Sequence, residues 1–339
     1  SLPPRQVMIE QAGLLADRFQ TLDARLGELR QGLQNRVRDT VEEINLSARS
    51  IARLNQEIVE SGATRNDPND LLDQRDELLR QLAEKISVTP VRQDDGAVNV
   101  FIGSGQTLVM GSAPQQLAVE PRPDNPGTTE IVLASPSGGS VAVTPEIHGG
   151  LLGGSLGFEQ GMLADAQRGL DTLALGIAEQ FNGRHELGMN LRGELGGAFF
   201  TAVNSPQLQA ERAFAHSGNT GSASLVVTVD AAGTLRDSDY RLYFDGAQYS
   251  LIRQRDDEVL GTFSSLPQSF PNEGFSLALA GGTPAAGDSF SIQPSAGTAR
   301  RIQALVADAQ SIALASPIRT GASLGNLGDA QISPGRVAA

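Results

Sequence analysis

The chain has 339 residues, a formal charge of -13 at pH 7, a sequence pI near 4.7, 40% apolar residues, 4% aromatics, no tryptophan and no cysteine. The acidic balance opposes nucleic-acid binding, which needs a basic surface against phosphate, and no apolar run approaches the ~20 residues that cross a bilayer, so neither nucleic acid nor membrane insertion is expected. Without cysteine there are no disulfides, thiolate nucleophiles or thiolate metal sites, the redox compartment stays open, and the length fits two or three domains.

From Pro3 or Pro4 to Gly62 the sequence reads as one long amphipathic helix, roughly 85 Å at ~1.5 Å per residue. Its apolar positions run Leu15, Phe19, Leu22, Leu26, Leu29, Leu33, Val37, Val41, Ile44, Ala48, Ile51, Leu54 and Ile58. Steps of four and three make a coiled-coil seam, with Leu22, Leu26, Leu29, Leu33, Ile44 and Ile51 as its expected packing residues; steps of four from Leu29 to Val41 form a stutter. The chain starts so abruptly inside this pattern that it reads as a fragment of a longer protein. After the turn-rich break Ser61–Pro68, a second helix is expected over Asn69–Lys85, capped by Asp67 with Pro68 at its first position, and folded back as an αα-hairpin. Leu72, Leu79, Leu82 and Ile86 make its apolar face.

The period then changes to two. Val98, Val100 and Ile102 alternate with Asn99, Phe101 and Gly103 between the turn signals Asp95-Gly96 and Gly103-Ser104-Gly105, and further strands are expected at Thr107–Met110, Gln116–Val119, Thr129–Leu133 and Ser140–Val143, with a break at Pro121–Gly127. Helical spacing returns from Leu156 to about Glu186, its face set by Leu163, Ala166, Leu170, Leu173, Ile177 and Phe181. Short strands follow between Leu225 and Ile292, with Asp245-Gly246 as a hairpin turn. Arg300–Ala315 reads as weakly helical, and Pro317–Ala339 as a linker. The fold class is α+β and multidomain: a coiled-coil-like helical rod or bundle (1–90 and 151–197), a small β subdomain inserted in it (91–150), a separate mostly-β outer domain (198–299), and a short helix and linker (300–339) leading to a C-terminal part that is not present.

Candidate chemistry is sparse. Asp73 and Asp76, with His185, are the best acid, base or metal-ligating residues, but Arg75 lies between the aspartates and Arg80 one turn beyond, which favours an ion-paired solvated face. His148, His185 and His216 have no metal-ligand spacing, Asp94-Asp95-Gly96 is too short for a calcium loop, and Gly-x-Ser-x-Gly does not occur. No catalytic residue, metal or cofactor is therefore assigned. The motif singled out is NDLLDQRD: Asn69, Asp70, Leu72, Asp73, Arg75 and Asp76. Leu72 is expected to pack inward, while Arg75 with Asp76 either orders the hairpin or meets another subunit. A secreted hydrolase and an adhesin-like binding module displaying the β domain are the readings from other classes.

PPRQVMIEQAGLLADRF at Pro3–Phe19, IARLNQEIVESGATRNDPNDLLDQRDEL at Ile51–Leu78, FNGRHELGMNLRGELGGAFF at Phe181–Phe200, DYRLYFDGAQYSL at Asp239–Leu251 and AGDSFSIQP at Ala286–Pro294 resemble, in this order, the flagellar hook-associated protein 1 family. The resemblance implies a structural, non-enzymatic subunit that joins hook to filament. It implies the hook protein, the second hook-associated junction protein, neighbouring copies of itself and a flagellar export chaperone as partners. It also implies an extracellular place on the bacterial flagellum, reached through the flagellar type III secretion system. The family's paired N- and C-terminal segments are absent, so the resemblance implies an outer core that does not assemble as the whole subunit does.

Overall fold

The computed structural model describes residues 2–63, 68–134 and 139–315. In chain order it contains α1 (Leu2–Ala63), α2 (Asn69–Lys85), β1 (Val88–Arg92), β2 (Val98–Ile102), β3 (Gln106–Met110), β4 (Ala113–Pro114), β5 (Gln116–Arg122), β6 (Asn125–Ala134), β7 (Ser140–Ala142) and α3 (Gly150–Phe158). A π-helical turn at Glu159–Leu163 leads into α4 (Ala164–Glu186). Then come α5 (Pro206–Glu211), β8 (Ala213–Ala215), β9 (Ser224–Val229), β10 (Tyr240–Phe244), β11 (Tyr249–Arg253), β12 (Glu258–Phe263), β13 (Gln268–Phe270), β14 (Phe275–Gly281), β15 (Ser289–Ile292) and α6 (Thr298–Arg301). The chain divides into two compact units, one of residues 26–165 and one of residues up to 25 together with those from 166 on.

In the unit of residues 26–165, the heptad positions of α1 are buried from Val37 onward. Val37, Ile44, Ala48 and Ile51 share a core with Leu82 and Ile86 of the α2 end, Val98, Val100 and Ile102 of β2, Leu117, Ile131, Leu152 and Leu156. The strict alternation of β2 produces this: the face of Val98, Val100 and Ile102 is buried and that of Asn99 and Phe101 half-buried. The strands make two antiparallel sheets, β1-β2-β3-β4 and β5-β6-β7, with Val88 opposite Ile102 and Leu117 opposite Leu133. Two asparagines of α1 stitch strands to the helix. The Asn55 amide takes Val98 N at 3.0 Å and gives to Val98 O at 2.8 Å, and the Asn45 amide takes Leu117 N at 2.9 Å and gives to Leu117 O at 2.8 Å. Each amide stands in for the missing peptide of a neighbouring strand, so buried backbone groups are satisfied without another strand.

In the other unit, α1 buries Ala12, Ala16 and Phe19 beside Ala174 and Ala178 of α4, with Phe199, Phe200, Ile302 and Ile312. Two further antiparallel sheets, β12-β11-β10-β15-β8 and β13-β14-β9, share a core of Tyr240, Leu242, Leu251, Phe275, Leu277, Phe290 and Ile292. The amide-for-peptide pairing recurs. Asn182 binds Phe200 N and O, Asn204 binds Val229 N and O, and Asn219 binds Ser289 N and O, all within 3.1 Å.

Several expectations are corrected. α1 runs through Gly62 to Ala63, because an unpacked helical glycine costs only ~1 kcal/mol and does not by itself stop a helix. Pro68 precedes α2, its carbonyl accepting from Leu71 N and Leu72 N at 3.0 Å, with no side-chain cap; Asp67 lies outside the described residues. The Pro121–Gly127 stretch is no break but the end of the β5–β6 hairpin, with Arg122 opposite Asn125. The helix expected from Leu156 begins at Gly150. Beyond Leu163, α4 buries Asp171, Ala174, Leu175, Ala178, Asn182 and His185, while Leu173 and Phe181 of the expected face are exposed; alanines allow close approach, and the buried polar groups are hydrogen-bonded. The segment after Arg301 is not helical: its backbone pairs sideways, Thr201 N to Gln303 O at 3.0 Å and Leu305 N to Phe199 O at 2.8 Å. The short strands β8 and β13 are additional to those expected. The linker expected from Pro317 lies outside the described residues.

Candidate assembly surface

The NDLLDQRD motif is mostly exposed. Asn69, Asp70, Asp73 and Asp76 face solvent and Leu72 is half-buried, but Arg75 is 1% exposed. It sits on the apolar side of α2, where its Nη1 donates to Gly96 O at 2.7 Å and to Asn55 Oδ1 at 3.3 Å. Asn55 also gives to Gly111 O at 2.8 Å. One guanidinium and one amide thus tie α2, α1 and the β1–β2 and β3–β4 turns together, with the Arg75 side chain turned inward. Burial pulls the Arg75 pKa down, while the Asp76 charge holds it up. Asp76 lies 3.6 Å from Arg92, and Arg80 pairs with Glu77 and Glu84 rather than with Asp76. Hydrogen bonds from Arg80 and then Gln81 hold the Glu77 carboxyl down at about 2.

Asp73 and Asp76 belong to one compact unit and His185 to the other, and His185 is engaged at both nitrogens by backbone, Gly197 O at 2.7 Å and Ala313 N at 2.9 Å. Among the described residues no three His, Asp or Glu side chains meet in a metal-holding group. An open cleft of about 410 Å³ is lined by Arg236, Asp237, Ser238, Arg253, Arg255 and Asp256, but Arg253 is spent on Asp256 and Glu273, and Arg255 on Asp237. Asp237 also receives Arg168 of α4 at 3.0 Å. Arg168 and Arg255 thus meet on Asp237, and Arg253 is held between Asp256 and Glu273.

The surface offers apolar rows instead of chemistry. Of the expected seam, Ile44 and Ile51 are fully buried, Leu26 and Leu33 are half-buried, and Leu22 and Leu29 are 46% and 58% exposed. The last two are therefore not interior to this chain: sheets cover α1 only where the β-branched positions begin. Val7 and Leu14 precede Leu22 at spacings of seven and eight, a row on one side of a straight helix. On α4, Leu173 and Phe181 are exposed and Gly169, Gly176 and Gly183 recur every seven residues, with nothing within 4 Å of where a Cβ would stand. Sequence reading missed Val7 and Leu14, although their spacing from Leu22 was visible; the expected seam began only at Leu15.

A family model described as the flagellar hook-associated protein FlgK helical domain matches residues 1–200, and one described as the flagellar hook-associated protein 1, D2-like domain, matches residues 214–294. Flagellar hook-associated protein 1 of Escherichia coli K12 is 30% identical over 94% of this chain and 58% of its own length, and that of Salmonella typhimurium LT2 is 30% identical over 92% and 56%. The structure of the flagellar hook junction protein FlgK from Burkholderia pseudomallei superposes with a TM-score of 0.83 at 34% identity, over 92% of this chain and 56% of that one. The chain thus spans somewhat more than half the length of the relatives it matches. These relatives give no support to the adhesin-like alternative.

Proposed function

Because the chain belongs to the flagellar hook-associated protein FlgK family, we propose that it forms part of a structural subunit of the bacterial flagellum that joins the hook to the filament. The observation that carries this reading is the shared fold and sequence with the FlgK relatives over nearly the whole chain. Its contribution is mechanical. A subunit of a helical tube meets its neighbours through heterologous contacts that propagate instead of closing. Long helices with uncovered apolar rows such as Val7, Leu14 and Leu22 suit lateral packing of that kind.

On this reading the hook protein, the second hook-associated junction protein and further copies of the chain are its partners in the assembly. An export chaperone accompanies it to the flagellar secretion channel, and its place is extracellular. Helices α1, α2 and α4 serve as the rod, in coiled-coil-like packing with other subunits, and the strands from β8 to β15 serve as an outer domain. No bond is made or broken. The test is deletion of the parent gene, with electron microscopy of the cells and an assay of the medium for flagellin. Bare hooks with shed flagellin, restored by the full-length gene, are expected; normal filaments on the deleted strain would sink the proposal.

A further inference from the structure

The irregular segment from Ile302 to Ala315 is a strap held on three sides, and Ile302, Ile312 and Ala313 are buried within it. From α1, Gln20 Nε2 donates to Ile302 O at 2.8 Å and Arg5 donates to Ile312 O. From the loop after α4, Leu191 N donates to Gln310 O at 3.1 Å and Met189 N to Ala315 O at 2.7 Å. From α4 itself comes His185, 6% exposed and set edge-on to Phe199 with ring centroids 5.3 Å apart.

The partners of His185 fix its chemical form. A carbonyl only accepts, so Nδ1 carries the hydrogen given to Gly197 O; a backbone amide only donates, so Nε2 offers its lone pair to Ala313 N. The surroundings are closed up to the backbone. A Cβ on Gly188 would stand 2.2 Å from Ala313 O, and one on Gly196 would stand 2.1 Å from His185 O, so glycine is needed at both places. This accounts for part of the FNGRHELGMNLRGELGGAFF run that the proposed assembly role leaves unused.

We propose that His185 is a proton-operated latch that holds the strap to α4 when neutral and releases it when protonated. Taking up a proton from solvent puts an N–H at Nε2, facing the N–H of Ala313; two donors then oppose each other and the strap amide has lost its acceptor. The charged groups on the surrounding elements do not offset this. Arg5 of α1 is bonded to the carbonyl of Ile312, next to the latch, and adds positive charge. Arg192 of the loop and Asp308 of the strap pair with each other, and Glu194 is engaged by Asn190. Arg184 and Glu186 of α4 are exposed, and among the described residues no carboxylate is hydrogen-bonded to the ring. Opening the strap also withdraws the carbonyls that anchor Gln20 and Arg5, so the latch governs how firmly the beginning of α1 is held.

The test is amide hydrogen exchange by NMR on the whole chain at pH 7.5 and 5.5, corrected for intrinsic exchange rates. A free imidazole is half protonated near pH ~6.5, so a one-proton latch should raise the opening constant at Ala313, Leu191 and Ala315 roughly tenfold between the two conditions. His185→Gln, which keeps an acceptor for Ala313 N but does not titrate, should show no such change, and His148→Asn with His216→Asn should keep it. Unchanged strap protection in the natural chain, or the same tenfold change in His185→Gln, overturns the proposal. Should His185→Gln fail to fold, the imidazole nitrogen shifts of the natural chain decide: a hydrogen on Nε2 at pH 7.5 would overturn it equally.

Discussion

Between Val37 and Ile58, α1 is buried by large aliphatic side chains against sheets, and between Ala12 and Phe19 the same helix is buried by alanines, two phenylalanines of the loop after α4 and a strap. Both stretches carry the same spacing of apolar positions. The first is stabilised mainly by area, since burying a side chain such as Ile44 contributes ~1.5–3 kcal/mol. The second has little area per residue and is fixed by polar pins: Gln20 and Arg5 to strap carbonyls, and Gln167 Nε2 to Asp23 at 2.7 Å and to Asp171 at 3.1 Å. The same spacing is thus compatible with two kinds of covering, and side-chain volume tells which of the two is present.

The contrast can be broken most forcefully at Asn55. Asn55→Ala leaves Val98 N and O, Gly111 O and the Arg75 guanidinium short of partners in the interior, so a loss of about 4 kcal/mol is expected in a urea melt. A loss below about 1 kcal/mol would show that water replaces the amide. Ile51→Ala, at a fully buried position, should cost about 3 kcal/mol by the same measurement.

In the polar stretch the decisive variable is pH. Asp171 is 3% exposed and burial pushes its carboxyl up to about 6 from an ordinary 3.8, against hydrogen bonds from Ala299 N and Gln167. A carboxyl raised in the folded state binds more protons there than in the unfolded chain, so its contribution is most favourable at low pH and is lost as pH rises through about 6. Relative to Asp171→Asn, the natural chain should lose about 1.4 kcal/mol per pH unit between about pH 4 and 6, and nothing further above. Melts of both chains across pH 3.5–8 check this, and parallel curves would refute it. At the small end, Leu22→Ala should change stability by less than ~0.5 kcal/mol, because this side chain is exposed in the chain alone.

Much of the architecture was legible from periodicity. The alternation Val98, Val100, Ile102 became β2 with the expected buried face, and Asn69–Lys85 is α2 to the residue. What was not legible depended on partners distant in sequence. Asn45 and Asn55 read as weak helix residues, yet each completes a strand more than 40 positions away. The strap has too little period to announce itself, because its order comes from Phe199, Thr201 and His185 and not from its own side chains. Of the motif residues, Arg75 with Asp76 was visible as a choice between the hairpin and a neighbouring subunit; that Arg75 is bonded to the Gly96 carbonyl, 21 positions away, was not. Leu22 and Leu29 carried the correct spacing, but spacing alone cannot distinguish a side covered by the chain's own sheets from an open one.

The division of α1 between two units also sets an order of events during synthesis. Residues 26–165 are contiguous and complete their core from their own sequence, whereas the first 25 residues pack with groups from Ala166 onward. At a synthesis rate of ~5–20 residues per second, the leading segment therefore waits on the order of ten seconds for Ala174, Phe199 and the strap, long after the hairpins behind it have closed. The earlier stretch of α1 is thus buried later than the stretch that follows it, against groups that have yet to be made when residues 26–165 have closed their own core.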